Sequence, residues 1–273
     1  MITAMSSQTA GQPMKTGEQV RNYWESRAHS DTSITSTTND IFLRSIEQRV
    51  LLEQISGLSN GLSVLDVGCG DGRTSAYIAE KLPTSSVTAF DYSEKMIQNA
   101  RDIHRGIGNL NLLVVDCTSD TVPSELASRF NVAFTTRCLI NVIEDNRRRN
   151  AFRMIHSSLI TNGLFLMIEN FVEGHNSFNK IREIFDLPPI PIRPHNRYFD
   201  SAELESLTAG LFTLEESINI SSSYYLASRV VYSRICKDQH TEPNSLDAHH
   251  EYGALLPFAG DYGPVVLKVL RRI

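Results

Sequence analysis

Three glycines within five residues, Gly68, Gly70 and Gly72, constrain this chain more than any other feature. They follow a short apolar run at residues 64–67, which is typical of a buried parallel strand. A helical pattern begins directly after them, at Arg73. Glycine lets the backbone turn sharply and lets a ligand lie against bare main chain. A strand, a glycine loop and a helix in this order point backbone amides at an anion or a polar cofactor.

The spacing of the loop argues against two other nucleotide-binding loops. A dinucleotide fingerprint has its third glycine three residues after the second, where this chain has Arg73. The phosphate-binding loop of NTPases ends in Gly-Lys-Ser/Thr, whereas this loop offers Gly72-Arg73-Thr74. Asp66 stands two residues ahead of the first glycine, where it would repel a pyrophosphate and suits a ligand that carries positive charge.

The loop resembles motif I of class I S-adenosylmethionine-dependent methyltransferases, whose pattern is apolar-x-[DE]-x-G-x-G-x-G. The sequence features that follow the loop occur in the order that is typical of this family. A second apolar strand at residues 87–91 ends in Asp91, 25 residues after Asp66, which is about the length of a strand–helix–strand unit. Tyr92-Ser93-Glu94-Lys95-Met96 looks like the family's D-x-S-x-x-M helix start. Three more strands are expected at residues 112–117, 132–137 and 162–169.

The resemblance implies an α/β fold: a Rossmann-like, doubly wound, seven-stranded, mostly parallel sheet whose last strand is antiparallel. An N-terminal helical cap and an acceptor-side lid insertion would complete it. The cofactor would be S-adenosyl-L-methionine, with S-adenosyl-L-homocysteine as its product. The cofactor-binding residues expected on this basis are Asp66, Gly68, Cys69, Gly70, Gly72, Asp91, Tyr92, Met96, Asp116, Cys117 and Arg137.

Three of these acids have particular expected roles. Asp91 would accept both ribose hydroxyl protons, and by resemblance Asp116 would meet the adenine amine beside a backbone contact at Cys117. Asp66 has an alternative interpretation, because an acid here can orient the turn by bonding loop amides instead of touching the ligand.

The chain divides into three expected parts. Residues 1–16 form a disordered tail, residues 17–58 an N-terminal helical cap, and residues 59–273 the methyltransferase domain. Within the domain, prolines and polar groups crowd residues 171–200, which we interpret as the lid over the acceptor. The last two strands are expected at residues 212–221 and 265–270, a helix is slightly favoured over a strand at 224–234, and a long loop is expected at 237–262.

Composition and charge argue against several classes of function. The 273 residues carry a net charge of -5, and the densest basic run, residues 147–149, is expected to be a solvated helix face. Nucleic-acid substrates are therefore disfavoured. No stretch is apolar enough for a membrane span. The four separated cysteines favour reduced thiols and a cytoplasmic setting. The paired histidines at 249–250 are expected at the surface, and no metal site is predicted.

Methyl transfer from a sulfonium depends mostly on orientation, which supplies about 7–11 kcal/mol in favourable cases. A general base adds only about 10²–10⁴-fold. The catalytic candidates are His195, in the lid, and Glu169, at the end of the fifth strand. The candidates for binding the acceptor are Trp24, Asn141, His175, Arg193, Tyr198, Tyr224, Tyr225 and Arg229.

The function predicted from the sequence is methyl transfer to a small molecule, at a hydroxyl oxygen of a sugar or natural product. N-methylation of a small amine or amino acid stays open, as does an RNA or protein acceptor. A subunit that binds the cofactor without catalysis is a further alternative. The oligomeric state is not fixed by the sequence, and a homodimer is kept as one option.

Overall fold

The computed structural model describes residues 13–273, and its centre is one seven-stranded sheet in the order β3-β2-β1-β4-β5-β7-β6. The strands are β1 (Ser63–Val67), β2 (Ser86–Asp91), β3 (Leu110–Val114), β4 (Phe130–Thr136), β5 (Leu159–Asn170), β6 (Phe212–Asn219) and β7 (Val265–Arg272). Strands β1 to β5 pair in parallel, and β7 runs antiparallel to both of its neighbours, β5 and β6. The predicted fold class is therefore confirmed.

Helices lie before the first strand and between the strands. The helices are α1 (Gly17–Ser30), α2 (Ile41–Ser56), α3 (Arg73–Lys81), α4 (Glu94–Ile103), α5 (Asp145–Ser158), α6 (Val172–Ile184), α7 (Ser201–Thr208), α8 (Ser222–Tyr225), α9 (Tyr232–Asp238) and α10 (Ala248–Gly253). A 3-10 turn at Leu139–Asn141 follows β4, and a π-helical turn at Leu226–Val231 joins α8 to α9. Within residues 13–273, no helix combines the length and the apolar character that crossing a bilayer requires.

Two apolar layers cover the two faces of the sheet. On one face α2 and α3 pack against the strands, and Val64 points into this layer. On the other face α5 and α7 pack against the strands, and the next residue along β1, Leu65, points there. Burial on both faces explains why the parallel strands read as continuous apolar runs. The carboxyl ends of these strands meet at one edge, where a doubly wound sheet binds its ligands.

The N-terminal cap begins within the predicted tail. Of that tail, residues 1–16, the first twelve lie outside the described residues. At its end Thr16 caps α1 in a reciprocal pair with Gln19, and the Lys15 N–H donates to the carbonyl of Pro194 at 2.7 Å. Asp40 caps α2 by accepting from the Leu43 N–H at 2.9 Å. The capping bond at Thr16 and the contact of Lys15 with the lid explain why the last residues of the predicted tail belong to the cap.

Two expectations about the second half of the chain need correction. Residues 171–200 are not lid throughout, because α6 inserts Phe178 into the core and residues 185–200 alone form an irregular segment. The loop expected at 237–262 contains α10, which Asp247 caps. His250 of α10 is buried, not on the surface as expected, and its Nδ1 lies 3.0 Å from the hydroxyl of Tyr224.

The basic run at residues 147–149 is not a solvated face. The side chain of Arg148 is 0% exposed, donates to both carboxylate oxygens of Glu203 at 3.0 and 2.9 Å, and lies 4.1 Å from the ring centre of Phe199. Its remaining N–H groups donate to the carbonyls of Leu139, Val142 and Arg197. Arg148 therefore ties α5 to α7 and to the turn after β4, a set of long-range contacts that no local pattern reveals.

We expect Arg148→Ala to lower the free energy of unfolding by about 3–5 kcal/mol, because three carbonyls lose their buried donor and Glu203 keeps only its ion pair with Arg197. Urea unfolding followed by circular dichroism measures this loss. Arg153→Ala, on the exposed face of the same helix, is the matched control and should change the free energy by less than about 0.5 kcal/mol. Equal losses in the two variants would contradict the structural role of Arg148.

Candidate active site

One cavity of about 520 Å³ lies at the carboxyl edge of the sheet. The glycine loop after β1 and the ends of β2, β3 and β4 form its floor, while α1 and the start of α2 cover it. The irregular segment at residues 185–200 and the helical run from α8 close the other end. A single space therefore joins the predicted cofactor residues to the predicted acceptor residues.

The glycine loop presents bare main chain to this cavity. Gly68, Gly70 and Gly72 have φ angles of 75°, 55° and 73°, which lie in the left-handed region that glycine adopts without strain. A Cβ at Gly68 would overlap the thiol of Cys138, and one at Gly70 would come within 2.8 Å of Thr37. Gly72 does not line the cavity, because it turns toward α4 and packs against Ala100.

Asp91, at the end of β2, lines the cavity beside the loop. Its two carboxylate oxygens accept the N–H groups of Gly70 and Ser93, each at 3.0 Å. Each oxygen keeps a further lone pair for a ligand. Burial raises the pKa of Asp91 to about 6, although the Ser93 and Gly70 amides oppose the shift. The free lone pairs suit the ribose hydroxyls of S-adenosylmethionine. The bare loop next to them lets the cofactor lie against main chain.

Asp66 lies beneath the loop and not in the cavity lining. Its side chain is 0% exposed, and its Oδ2 accepts the hydroxyl of Ser75 at 2.5 Å. The other oxygen has no hydrogen-bond partner within the described chain. Burial raises the pKa of Asp66 to about 7. The expected direct contact with the cofactor is therefore not supported, and a supporting role under the turn fits better.

Asp116 also lines the cavity and lies between two arginines. Its Oδ2 accepts from Arg21 of α1 and, at 3.0 Å, from Arg147 of α5, while Oδ1 accepts from Thr118. Arg21 also lies over the ring of Tyr92, at 4.6 Å. An adenine amine would have to share this carboxylate with two guanidinium groups, so the adenine role of Asp116 stays a prediction. No sequence motif signals either arginine.

His195 lies in the cavity wall and is 7% exposed. Its ring stacks on Tyr23 at 4.4 Å and meets Trp24 edge-on at 5.8 Å. Burial, followed by the charges of Arg193 and Lys15, lowers the pKa of His195 to about 4. The imidazole is therefore neutral near pH 7, and such a low pKa makes it a weak general base.

Arginines and tyrosines from separate elements meet in the opposite wall. Arg137, after β4, donates to both carboxylate oxygens of Glu47 at 2.6 and 3.1 Å. Arg229 of the π-helical turn pairs with Asp40 and stacks over the ring of Tyr225 at 4.4 Å. Short π-helical turns of this kind occur frequently at functional sites.

Two predicted residues stand behind the wall. Glu169 is 0% exposed and accepts the N–H groups of the turn after β4, at 2.9–3.2 Å. Burial raises the pKa of Glu169 to about 7, but no acceptor reaches it because it does not line the cavity. Tyr224 is also enclosed, and its hydroxyl donates to Asp40 at 2.6 Å. Both side chains position wall residues, which corrects the expected catalytic role of Glu169 and the expected acceptor contact of Tyr224.

The cavity brings together the remaining predicted residues. The predicted residues that line it are Trp24, Gly68, Cys69, Gly70, Asp91, Tyr92, Met96, Asp116, Cys117, Arg137, Asn141, His175, Arg193, His195, Tyr198, Tyr225 and Arg229. Sequence reasoning missed many other lining residues, among them Arg21, Asp40, Arg44, Glu47, Arg147, Asn170 and Phe178. Of these, Asp40 gave a signal, as a helix cap.

Comparison with known proteins agrees with this site. Residues 64–163 match the family described as "Methyltransferase domain". The chain is 30% identical over 174 residues to malonyl-[acyl-carrier protein] O-methyltransferase of Xylella fastidiosa, covering 62% of this chain and 57% of that protein. It is 27% identical over 163 residues to carboxy-S-adenosyl-L-methionine synthase of Nautilia profundicola, covering 58% of this chain and 68% of that one. The chain thus spans little more than half the length of the first of these relatives.

Solved structures share the fold at low sequence identity. The [4+2]-cyclase SpnF superposes with a TM-score of 0.59 at 18% identity, covering 96% of this chain and 98% of that one. A TehB-like S-adenosylmethionine-dependent methyltransferase from Corynebacterium glutamicum gives 0.52 at 16% identity, covering 94% and 98%. Residues 64–163 thus match a methyltransferase domain, and the strand order and the glycine loop give the chain the fold of these solved structures.

Proposed function

We propose that the chain transfers a methyl group from S-adenosylmethionine to an oxygen atom of a small-molecule acceptor. The observation that carries this proposal is the single cavity of about 520 Å³ that runs from the glycine loop to His195 and Tyr198. When bound, the cofactor supplies a methyl group made electrophilic by its sulfonium. The surrounding residues then have to bind and orient the cofactor and the acceptor, and they have to exclude water.

The residues at the loop end are suited to hold the nucleoside. Asp91 accepts ribose hydroxyl protons on its free lone pairs, while Gly68 and Gly70 let the ligand lie against main chain. Tyr92 and Met96, which also line this end, add apolar contact. Fixing both partners in one enclosed space supplies most of the catalytic gain, about 7–11 kcal/mol in favourable cases.

An oxygen acceptor is favoured over an amine by the opposite wall. A protonated amine would be repelled by Arg193, which makes no ion pair within the described residues, whereas Glu47 and Asp40 neutralise Arg137 and Arg229. The relative from X. fastidiosa is named as an O-methyltransferase. A shorter match, 35% identical over 68 residues and 24% of this chain, is to (S)-coclaurine N-methyltransferase of Thalictrum flavum. The nature of the acceptor, the cytoplasmic setting and a homodimer stay predictions.

Asp91→Asn should weaken the binding of S-adenosylhomocysteine roughly 10- to 1,000-fold, because hydrogen bonds to a charged group contribute about 1.5–3 kcal/mol each. Isothermal titration calorimetry at pH 7.5 measures the change. Asp102→Asn, on the exposed side of α4, is the matched control and should bind as the wild type does. Unchanged affinity in Asp91→Asn would remove the ribose assignment.

The affinity for S-adenosylhomocysteine should fall as the pH drops below 6. The pKa of Asp91 is raised to about 6, so the carboxylate that accepts the hydroxyl protons becomes protonated in this range. The loss should reach at most about tenfold per pH unit. Titrations from pH 5 to 8 measure it, and the Asp91→Asn variant should show a flatter profile. An identical profile in that variant would assign the dependence to another group, such as Asp66.

His195 should act by orientation and not by proton removal. Because the pKa of His195 is lowered to about 4, the imidazole stays neutral from pH 6 to 8 and should add no limb to the rate profile there. His195→Asn should lower kcat/KM about 10- to 100-fold at every pH in this range. His29→Asn, at an exposed position of α1, is the control. A wild-type limb near pH 7 that disappears in His195→Asn would show that His195 is the base.

A further inference from the structure

We propose that the acceptor is a carboxylic acid and that its carboxylate oxygen receives the methyl group, giving a methyl ester. This inference rests on the proposed methyl transfer and specifies its acceptor. It is carried by one wall of the cavity, which we call the acceptor wall and define as Arg137, Arg193, Tyr198, Tyr225 and Arg229.

The acceptor wall is a set of hydrogen-bond donors that line one cavity. Burial raises the pKa of Tyr198, while the charges of Arg137, Arg193 and Arg229 oppose the shift, as expected for guanidinium groups that line the same cavity. Tyr225 stacks under Arg229 and is likewise close enough to influence Tyr198. The five side chains come from the turn after β4, the lid segment and the helical run after β6.

Positive charge is in excess on this side of the cavity. Glu47 neutralises Arg137, and Asp40 neutralises Arg229. Arg193 makes no ion pair with any residue that the structure describes. The Nε of Arg229 is buried and has no hydrogen-bond partner among residues 13–273. An anion would supply both the missing charge and the missing acceptor.

The two tyrosines point to the same ligand. Tyr225 is 8% exposed, and across the described part of the chain neither its hydroxyl nor that of Tyr198 makes a hydrogen bond with protein. Both tyrosines line the cavity and neither hydroxyl is fully buried, so a bound ligand can accept a hydrogen bond from each. A carboxylate offers about four lone-pair sites and no donor, whereas an alcohol brings a donor of its own and an ammonium brings donors alone. The carboxylate therefore matches this set of groups best.

The groups that could deprotonate a hydroxyl are poorly suited to do so. His195 has a pKa lowered to about 4 by burial, and burial also lowers the pKa of His175, whose ring contacts the Asn179 amide. The carboxylates of Asp40 and Glu47 are held by arginines. A carboxylic acid needs no such base, because its pKa near 4 keeps it ionised at neutral pH.

The proposed step balances without any proton transfer. A lone pair of the carboxylate oxygen forms the new oxygen–carbon bond to the methyl group. The carbon–sulfur bond breaks, and its electron pair stays on sulfur. The negative charge of the carboxylate and the positive charge of the sulfonium both disappear, so the products are a neutral ester and a thioether. The acceptor wall then holds the attacking group in place before the charges vanish.

Matched probes test this inference. Hexanoate and phenylacetate are the carboxylates, and 1-hexanol and 2-phenylethanol are their alcohol counterparts. Each is incubated with the protein and methyl-labelled S-adenosylmethionine, and transferred label is then treated with mild alkali, which releases methanol from esters and not from ethers. Binding is followed separately by the fluorescence of Trp24, the single tryptophan, with S-adenosylhomocysteine present.

We expect at least one carboxylate to quench or shift the Trp24 signal and to yield alkali-labile label, while its alcohol counterpart does neither. Arg193→Gln and Tyr225→Phe should weaken carboxylate binding about 10-fold each, as expected for losing one charge-assisted hydrogen bond. Arg105→Gln, whose side chain is 79% exposed, is the matched control and should bind as the wild type does.

Three outcomes would overturn the inference: alkali-stable label from the alcohols alone, no response to either carboxylate, or carboxylate binding that both acceptor-wall variants leave unchanged. The first outcome would keep the proposed methyl transfer intact and assign it to a hydroxyl. Failure of S-adenosylhomocysteine itself to bind would instead count against the proposed function, so the two failures are distinguishable.

Discussion

The site depends on one partly buried carboxylate, that of Asp91, which joins the end of β2 to the glycine loop. By accepting the amides of Gly70 and Ser93, it fixes the loop against the next helix while keeping lone pairs toward the cavity. The left-handed glycines make this close approach possible. Without this carboxylate, the Gly70 amide would lose its hydrogen-bond acceptor, and the nucleoside would lose its expected partner. The cofactor end of the cavity is thus set by a few short-range contacts along β1 and β2.

The acceptor end is built by a different principle. Its arginines and tyrosines come from elements far apart in the chain, and two of the arginines are fixed by ion pairs with residues of the N-terminal cap. Arg137 is held by Glu47 of α2, and Arg229 by the same Asp40 that caps α2. Cap, sheet and C-terminal helices are therefore tied together around one space. The result is a cavity with carboxylates near the cofactor and an excess of guanidinium groups near the acceptor.

This difference explains what the sequence could predict. The glycine loop, Asp91 and the order of strands lie in local patterns of spacing and hydropathy, so they were predictable from residues alone. The burial of Arg148, the pairing of Asp116 with Arg21 and Arg147, and the enclosure of Glu169 depend on contacts between distant segments. No local pattern distinguishes a strand-end acid that faces a ligand from one that holds loop amides. Asp91 and Glu169 look alike in the sequence, and the fold alone separates them.

A crystal structure of the protein with S-adenosylhomocysteine tests the central claim most directly. The account predicts that the ribose hydroxyls lie within hydrogen-bond distance of the Asp91 carboxylate, with the sulfur atom facing the space in front of Tyr198 and Arg229. A nucleoside bound away from the glycine loop, or a cavity that stays empty at saturating ligand, would contradict it.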